Sequence, residues 1–129
     1  MQLQIPGGTT GEKEETVTDA KTAAALESGS VPVYATPAMV ALMEAAAIQA
    51  LAPYLPPGHT SVGTDISVTH LRPSPLGTRV RARATVTGVE GRLVTLRVEA
   101  HQGSKRIGEG IHRRAVVETE KFMARAAAD

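Results

Sequence analysis

The sequence predicts an α+β fold, a long central helix wrapped by a curved five-stranded antiparallel sheet. Three observations predict it. "TPAMVALMEAAAIQAL" (36–51) reads as one long helix, apolar nearly all round. From residue 62 onward the apolar period changes from helical to two. The alternating runs that follow are joined by short turns rich in Gly and Pro, which makes neighbouring strands antiparallel.

Each element follows in order. Residues 1–11 end in PGGTTG and read as a flexible lead-in, and Glu12 to Thr18 as a short polar strand. Asp19 to Glu27 contains KTAAALE and predicts one or two helical turns, with a loop at GSVP (29–32). Thr36-Pro37 is a helix start: Thr offers an N-cap oxygen, and Pro is favoured at the first helical position because its missing N–H is not needed there. The helix is expected from Pro37 to about Ala52, stopping near Pro53, and PYLPPGHTS is a loop.

In the first long strand, VGTDISVTHL, residues Val62, Thr64, Ile66, Val68 and His70 are expected on one face. In TRVRARATVTG, Val80, Ala82, Ala84 and Val86 face one way and Arg79, Arg81 and Arg83 the other. In LVTLRVEAH, Val94, Leu96, Val98 and Ala100 alternate with Thr95, Arg97 and Glu99. RIGEGIHRRAVVE forms the last strand, followed by a short, frayed tail (124–129). The 129 residues suit one domain, 1–129, with no internal repeat or linker.

Composition narrows the function. Hydrophobic residues make up 42% and charged residues 21%, as in ordinary globular proteins. One Phe, two Tyr and no Trp leave the core to Ala, Val, Leu, Ile and Met. A net charge of +1 supplies no field to attract nucleic acid or anionic lipid. The absence of cysteine excludes disulfides and thiolate chemistry and is compatible with the cytoplasm. No signal peptide is visible at the start. A membrane span is not expected, because Glu44, Gln49 and Pro53 interrupt the apolar run.

Glu44 is the anomaly. Between Ser28 and Thr64 it is the only charged residue. On the helical wheel it shares its face with Pro37, Val40, Ala41, Ala47, Ile48 and Leu51, so it has no charged partner on its own helix. Two readings stand: the carboxylate snorkels out or pairs with an Arg from the sheet, or it does acid–base work. A desolvated carboxyl would hold its proton more tightly, which suits acid–base chemistry near neutrality.

Thr36, Val40 and Glu44 climb one side of the helix in steps of four, so a ligand beside the helix meets both polar groups. The helix start also presents free N–H groups that can hold a carbonyl or oxyanion. His70 ends a strand whose face carries Ile66 and Val68. Asp65 lies five residues away on the opposite face, which rules out an Asp–His pair. Gly63 allows a close backbone approach. The histidines lack metal-ligand spacing. Arg79, Arg81 and Arg83 read as a solvated strand face, or as a holder of phosphates on a nucleotide-bearing substrate.

Taken together, T-x7-E in the helix, APYL-x-PG and VGT-x3-VTH resemble the fluoroacetyl-CoA thioesterase-like group of hotdog-fold proteins, over roughly residues 30–123. The resemblance implies a hotdog fold, paired into a homodimer with active sites near the interface and open to higher assembly. It implies hydrolysis of an acyl-CoA thioester with no cofactor beyond the CoA of the substrate. The family's catalytic Thr, Glu and His fall on Thr36, Glu44 and His70, and its substrate-contacting glycine on Gly63; Tyr34 and Val40 are the further expected substrate contacts. In the fluoroacetyl-specific enzyme, bulky Phe side chains before the Thr gate the pocket. Here that segment is SGSVPVYAT, with Tyr34 as its only aromatic, so a small or medium acyl group is the expected substrate. A non-catalytic acyl-CoA or small-ligand binding module and an enoyl-thioester hydratase are the competing expectations.

Overall fold

The computed structural model describes residues 3–128. The chain runs β1 (Thr10–Thr16), α1 (Thr36–Leu51), β2 (His59–His70), β3 (Arg79–Glu90), β4 (Leu93–Gln102), β5 (Lys105–Glu118) and α2 (Thr119–Ala128). The strands form one antiparallel sheet in the order β1-β3-β4-β5-β2, which curls around α1. Gly91 and Gly103, at φ of 62° and 60°, form the tight hairpin turns between β3, β4 and β5.

The core lies between α1 and the concave face. Val80, Ala82, Ala84 and Val86 of β3 and Val94, Leu96, Val98 and Ala100 of β4 are all buried, as their alternation predicts. They meet Met39, Leu42, Met43, Ala46, Ala47, Ala50 and Leu51 of α1. Each fully buried Leu, Met or Val contributes about 1.5–3 kcal/mol. With almost no aromatics, the core relies on close approach of small residues. A Cβ on Gly11 of β1 would collide with the Ala46 carbonyl and the Ala50 amide of α1. Thr36–Tyr54 is long and apolar enough to cross a bilayer by length and hydropathy, but here its buried face fills the sheet.

Several elements differ from the sequence expectation. Ile5 is buried, and residues 8 and 9 hydrogen bond to Val86, so much of the expected lead-in (1–11) packs on β3; β1 starts at Thr10 and ends at Thr16, two residues earlier than expected at each end. The helix expected over Asp19–Glu27 shrinks to a 3-10 turn, Asp19–Lys21. There the Ala23 amide donates to Val33 and Thr22 bridges Tyr34, so pairing with the α1 approach replaces helical bonds. Where a frayed tail is expected (124–129), α2 continues to Ala128, with Glu120 in its first turn and Arg125 in its last matching the helix dipole.

Helix α1 is covered on one side only, where its sequence suggests cover on several. Pro37, Ala41, Ile48 and Gln49 are exposed, beside the unpaired edge of β2. The Arg row on β3 is the solvated face: Arg79 pairs with Glu14 at 2.9 Å and Arg83 with Glu12 at 3.7 Å, across the β1–β3 register.

Candidate active site

The polar groups gather along the groove between α1 and β2. At one end Thr36 and His70 meet, with Oγ1 2.8 Å from Nδ1. The sequence suggests Thr36 as the N-cap. Instead Ala35 caps without a side-chain bond, and Thr36 is the first helical residue. Its hydroxyl is thereby free for the imidazole.

The other ring nitrogen, Nε2 of His70, is buried with no hydrogen-bond partner among the described residues. A buried ring nitrogen without a partner beside a cleft calls for an explanation, and a catalytic role is one. Burial lowers the His70 pKa from its ordinary 6.5, opposed in part by the Arg72 backbone. A cleft of about 350 Å³ opens next to the pair, lined by Val31, Val33, Tyr34, Thr36, His70 and Leu71, among others.

Two turns further along α1, Glu44 is half-buried, with 39% of its side chain exposed. Oε2 lies 3.6 Å from Nη1 of Arg114 on β5, whose side chain is only 5% exposed. Arg114 is held on every side. Nε donates to Ser61 Oγ at 2.9 Å, Nη2 to the Ser61 carbonyl at 3.0 Å, and Nη1 to His112 Nε2 at 3.1 Å. A guanidinium can only donate, so His112 Nε2 accepts and its Nδ1–H donates to the Asp65 carbonyl at 2.8 Å. Desolvation lowers the Arg114 pKa, and Glu44 opposes that shift. The ion-pair reading of Glu44 is therefore realised, by an arginine that does not stand out in the sequence.

A β-bulge brings Glu44 and β2 together. Gly63 pairs with Arg114 and Asp65 with Arg113, leaving Thr64 as an extra residue. The bulge inverts the alternation expected from the sequence. Ile66, Val68 and His70 still face α1, but below the bulge Gly63, Ser61 and His59 take that face, not Thr64 and Val62. Gly63 consequently faces the helix, and a Cβ there would lie 2.8 Å from Glu44 Oε2.

Of the remaining sequence candidates, Val40 is half-buried on α1 between Thr36 and Glu44. Tyr34 lines the cleft, but its hydroxyl donates to Glu15, and burial together with that carboxylate raises its pKa. Asp65 turns outward and pairs with Arg113 at 3.1 Å. Arg114, His112 and Ser61 were legible only as a pattern: in IHRRAVV, a His and an Arg two apart share the face of buried Val116.

A helix-filled curled sheet of this order is the hotdog fold, and the relatives that share it make the chain a hotdog-fold thioesterase, a thioester hydrolase. A Thermus thermophilus thioesterase superfamily member superposes with a TM-score of 0.90 at 34% identity, over 97% of this chain and 93% of that one. A hot-dog-like protein from Thermanaerovibrio acidaminovorans gives 0.87 at 28% identity, over 96% and 92%. The family model for fluoroacetyl-CoA-specific thioesterase matches residues 17–120, and the chain belongs to that family. The fluoroacetyl-CoA thioesterase of Streptantibioticus cattleyicolor is 50% identical over 93 residues, 72% of this chain and 67% of that protein. A solved structure of the fluoroacetyl-CoA thioesterase FlK has a TM-score of 0.91 at 39% identity, covering 98% of both chains.

Proposed function

We propose that the protein hydrolyses a small or medium acyl-CoA thioester to the free acid and CoA, in the cytoplasm, as a homodimer without a resident cofactor. Family membership supports the reaction class. The observation that carries the site assignment is the pairing of Thr36 with His70 in one groove with the Arg114-held Glu44.

In this reading Thr36 O–H donates to His70 Nδ1 and so leaves the proton of the neutral ring on Nε2. Nε2–H then donates to the thioester oxygen as charge develops there. Glu44, half-exposed and held 3.6 Å from Arg114, takes a proton from water as its oxygen adds to the carbonyl carbon. The C–S bond breaks, and CoA leaves as the thiolate. Gly63 leaves room for the acyl group beside Glu44, and Val40 and Tyr34 form the walls. The exposed apolar face of α1 and the unpaired β2 edge support pairing of two copies.

Release of free CoA from a panel of acyl-CoAs, by wild type and Glu44→Gln, tests the assignment. Turnover by wild type and its loss in the variant are expected. No turnover on any member, or undiminished turnover in Glu44→Gln, would sink it. Sedimentation as a monomer at micromolar concentration would remove the dimer.

A further inference from the structure

Away from the catalytic groove, α2 and the adjoining ends of β2 and β5 enclose a cleft of about 440 Å³. Arg92, Lys121 and Arg125 line it with His59 and Phe122, against one carboxylate, Glu118. Lys121 neutralises Glu118 at 3.4 Å. Arg92 and Arg125 have no carboxylate within ion-pair distance among the described residues. The Phe122 ring is exposed at the wall. Two uncommitted guanidiniums beside an open aromatic face suit a ligand carrying both phosphates and a planar base.

The cleft also lies in line with the thioester site. His59 is on its wall and belongs to the same α1-facing row of β2 as Ser61 and Gly63. Four residues of strand separate His59 from Gly63, about 13 Å at ~3.3 Å per residue, a span that a pantetheine arm bridges. A second cationic hollow, around Arg72, Lys105 and Arg106, fits less well. Its Arg106 is already engaged by Glu99 and Glu109, and its only ring is the His101 imidazole, with no Phe, Tyr or Trp on the wall among the described residues.

Resting on the acyl-CoA reading, we propose that the α2 cleft binds the nucleotide end of CoA. Arg92 and Arg125 hold its phosphates, and adenine stacks on Phe122. Helix α2 is thus part of the substrate site.

The test compares wild type, the double variant Arg92→Ala/Arg125→Ala, Phe122→Leu and, as a control, Lys105→Ala. Each is assayed on one acyl group carried by CoA and by N-acetylcysteamine, and titrated calorimetrically with free CoA. The double variant should raise KM for the acyl-CoA and weaken CoA binding ~10-fold or more, with kcat and the N-acetylcysteamine KM unchanged. Phe122→Leu should do the same to a smaller extent. Both arginines are exposed, so circular dichroism should show intact folding. CoA binding unchanged in the double variant, absent from wild type, or lost in Lys105→Ala instead overturns the proposal. If wild type binds CoA through these arginines but hydrolyses neither thioester, the hydrolase reading fails and the cleft assignment stands.

Discussion

Thr36 and His70 are 34 residues apart in the chain, yet Oγ1 and Nδ1 lie 2.8 Å apart at the mouth of an apolar cleft. The contact exists because α1 runs antiparallel to β2, so the start of the helix lies beside the end of the strand. If the hydroxyl orients the ring, Thr36→Val should lower kcat by about 10²-fold or more, as loss of a positioned acid–base partner does. Thr36→Ser, which keeps the hydroxyl, should stay within severalfold of wild type. The exposed position predicts little change in melting temperature for either variant, and equal activity in all three proteins would dismiss the pair.

Burial of His70 sets a pH dependence with a definite sign. Its folded pKa lies below 6.5, so between that value and 6.5 the unfolded chain binds more protons than the folded one. The His70 contribution to stability is fully present above pH 6.5 and is lost as the pH falls through the folded pKa. Imidazole ¹⁵N shifts should give a His70 midpoint below 6.5, and His70→Gln should flatten this part of the stability curve. A midpoint above 6.5 contradicts the assignment.

Arg114 links the sheet to the helix carboxylate. Arg114→Met removes the ion pair and the hydrogen bonds to Ser61 and His112, and should cost about 1–3 kcal/mol in urea unfolding. Activity should fall further than stability, because Glu44 loses the cation that orients it. Arg114→Lys keeps the charge but cannot reproduce the fork of bonds, so its activity should lie between the two. A fully active Arg114→Met would detach the pair from function.

Gly63 and Gly11 separate site from scaffold. Gly63→Ala puts a methyl group 2.8 Å from the movable Glu44 carboxylate, so turnover should drop while the melting temperature shifts little. Gly11→Ala instead drives Cβ into the α1 backbone, which cannot swing aside. Overpacking of that kind should destabilise by about 1–3 kcal/mol, read as an earlier urea midpoint at an unchanged slope.

Much of this molecule was legible in the sequence, for reasons that differ by element. The inward faces of β3 and β4 could be read because a period of two needs no knowledge of the partner strand. Glu44 stood out because a lone carboxylate in an uncharged helix is costly wherever that helix packs. Local chemistry misled where a tertiary contact outweighed it. Thr36 has cap chemistry but gives its hydroxyl to His70, and KTAAALE has helical propensity but gives the Ala23 and Ala24 amides to the Val33 and Val31 carbonyls.

By itself, the sequence determined the order of the long helix and the five strands, the inward faces of β3 and β4, and which polar residues stand out. These follow from side-chain periodicity and from the cost of burying charge, both local properties. Only the tertiary structure decided which groups meet. The Thr64 bulge inverted the first half of β2 and aimed Gly63 at Glu44, and the β2–β5 register carried Arg114 to that carboxylate. One extra residue in a ladder turns every side chain before it to the other face, and whether it is extra depends on the partner strand.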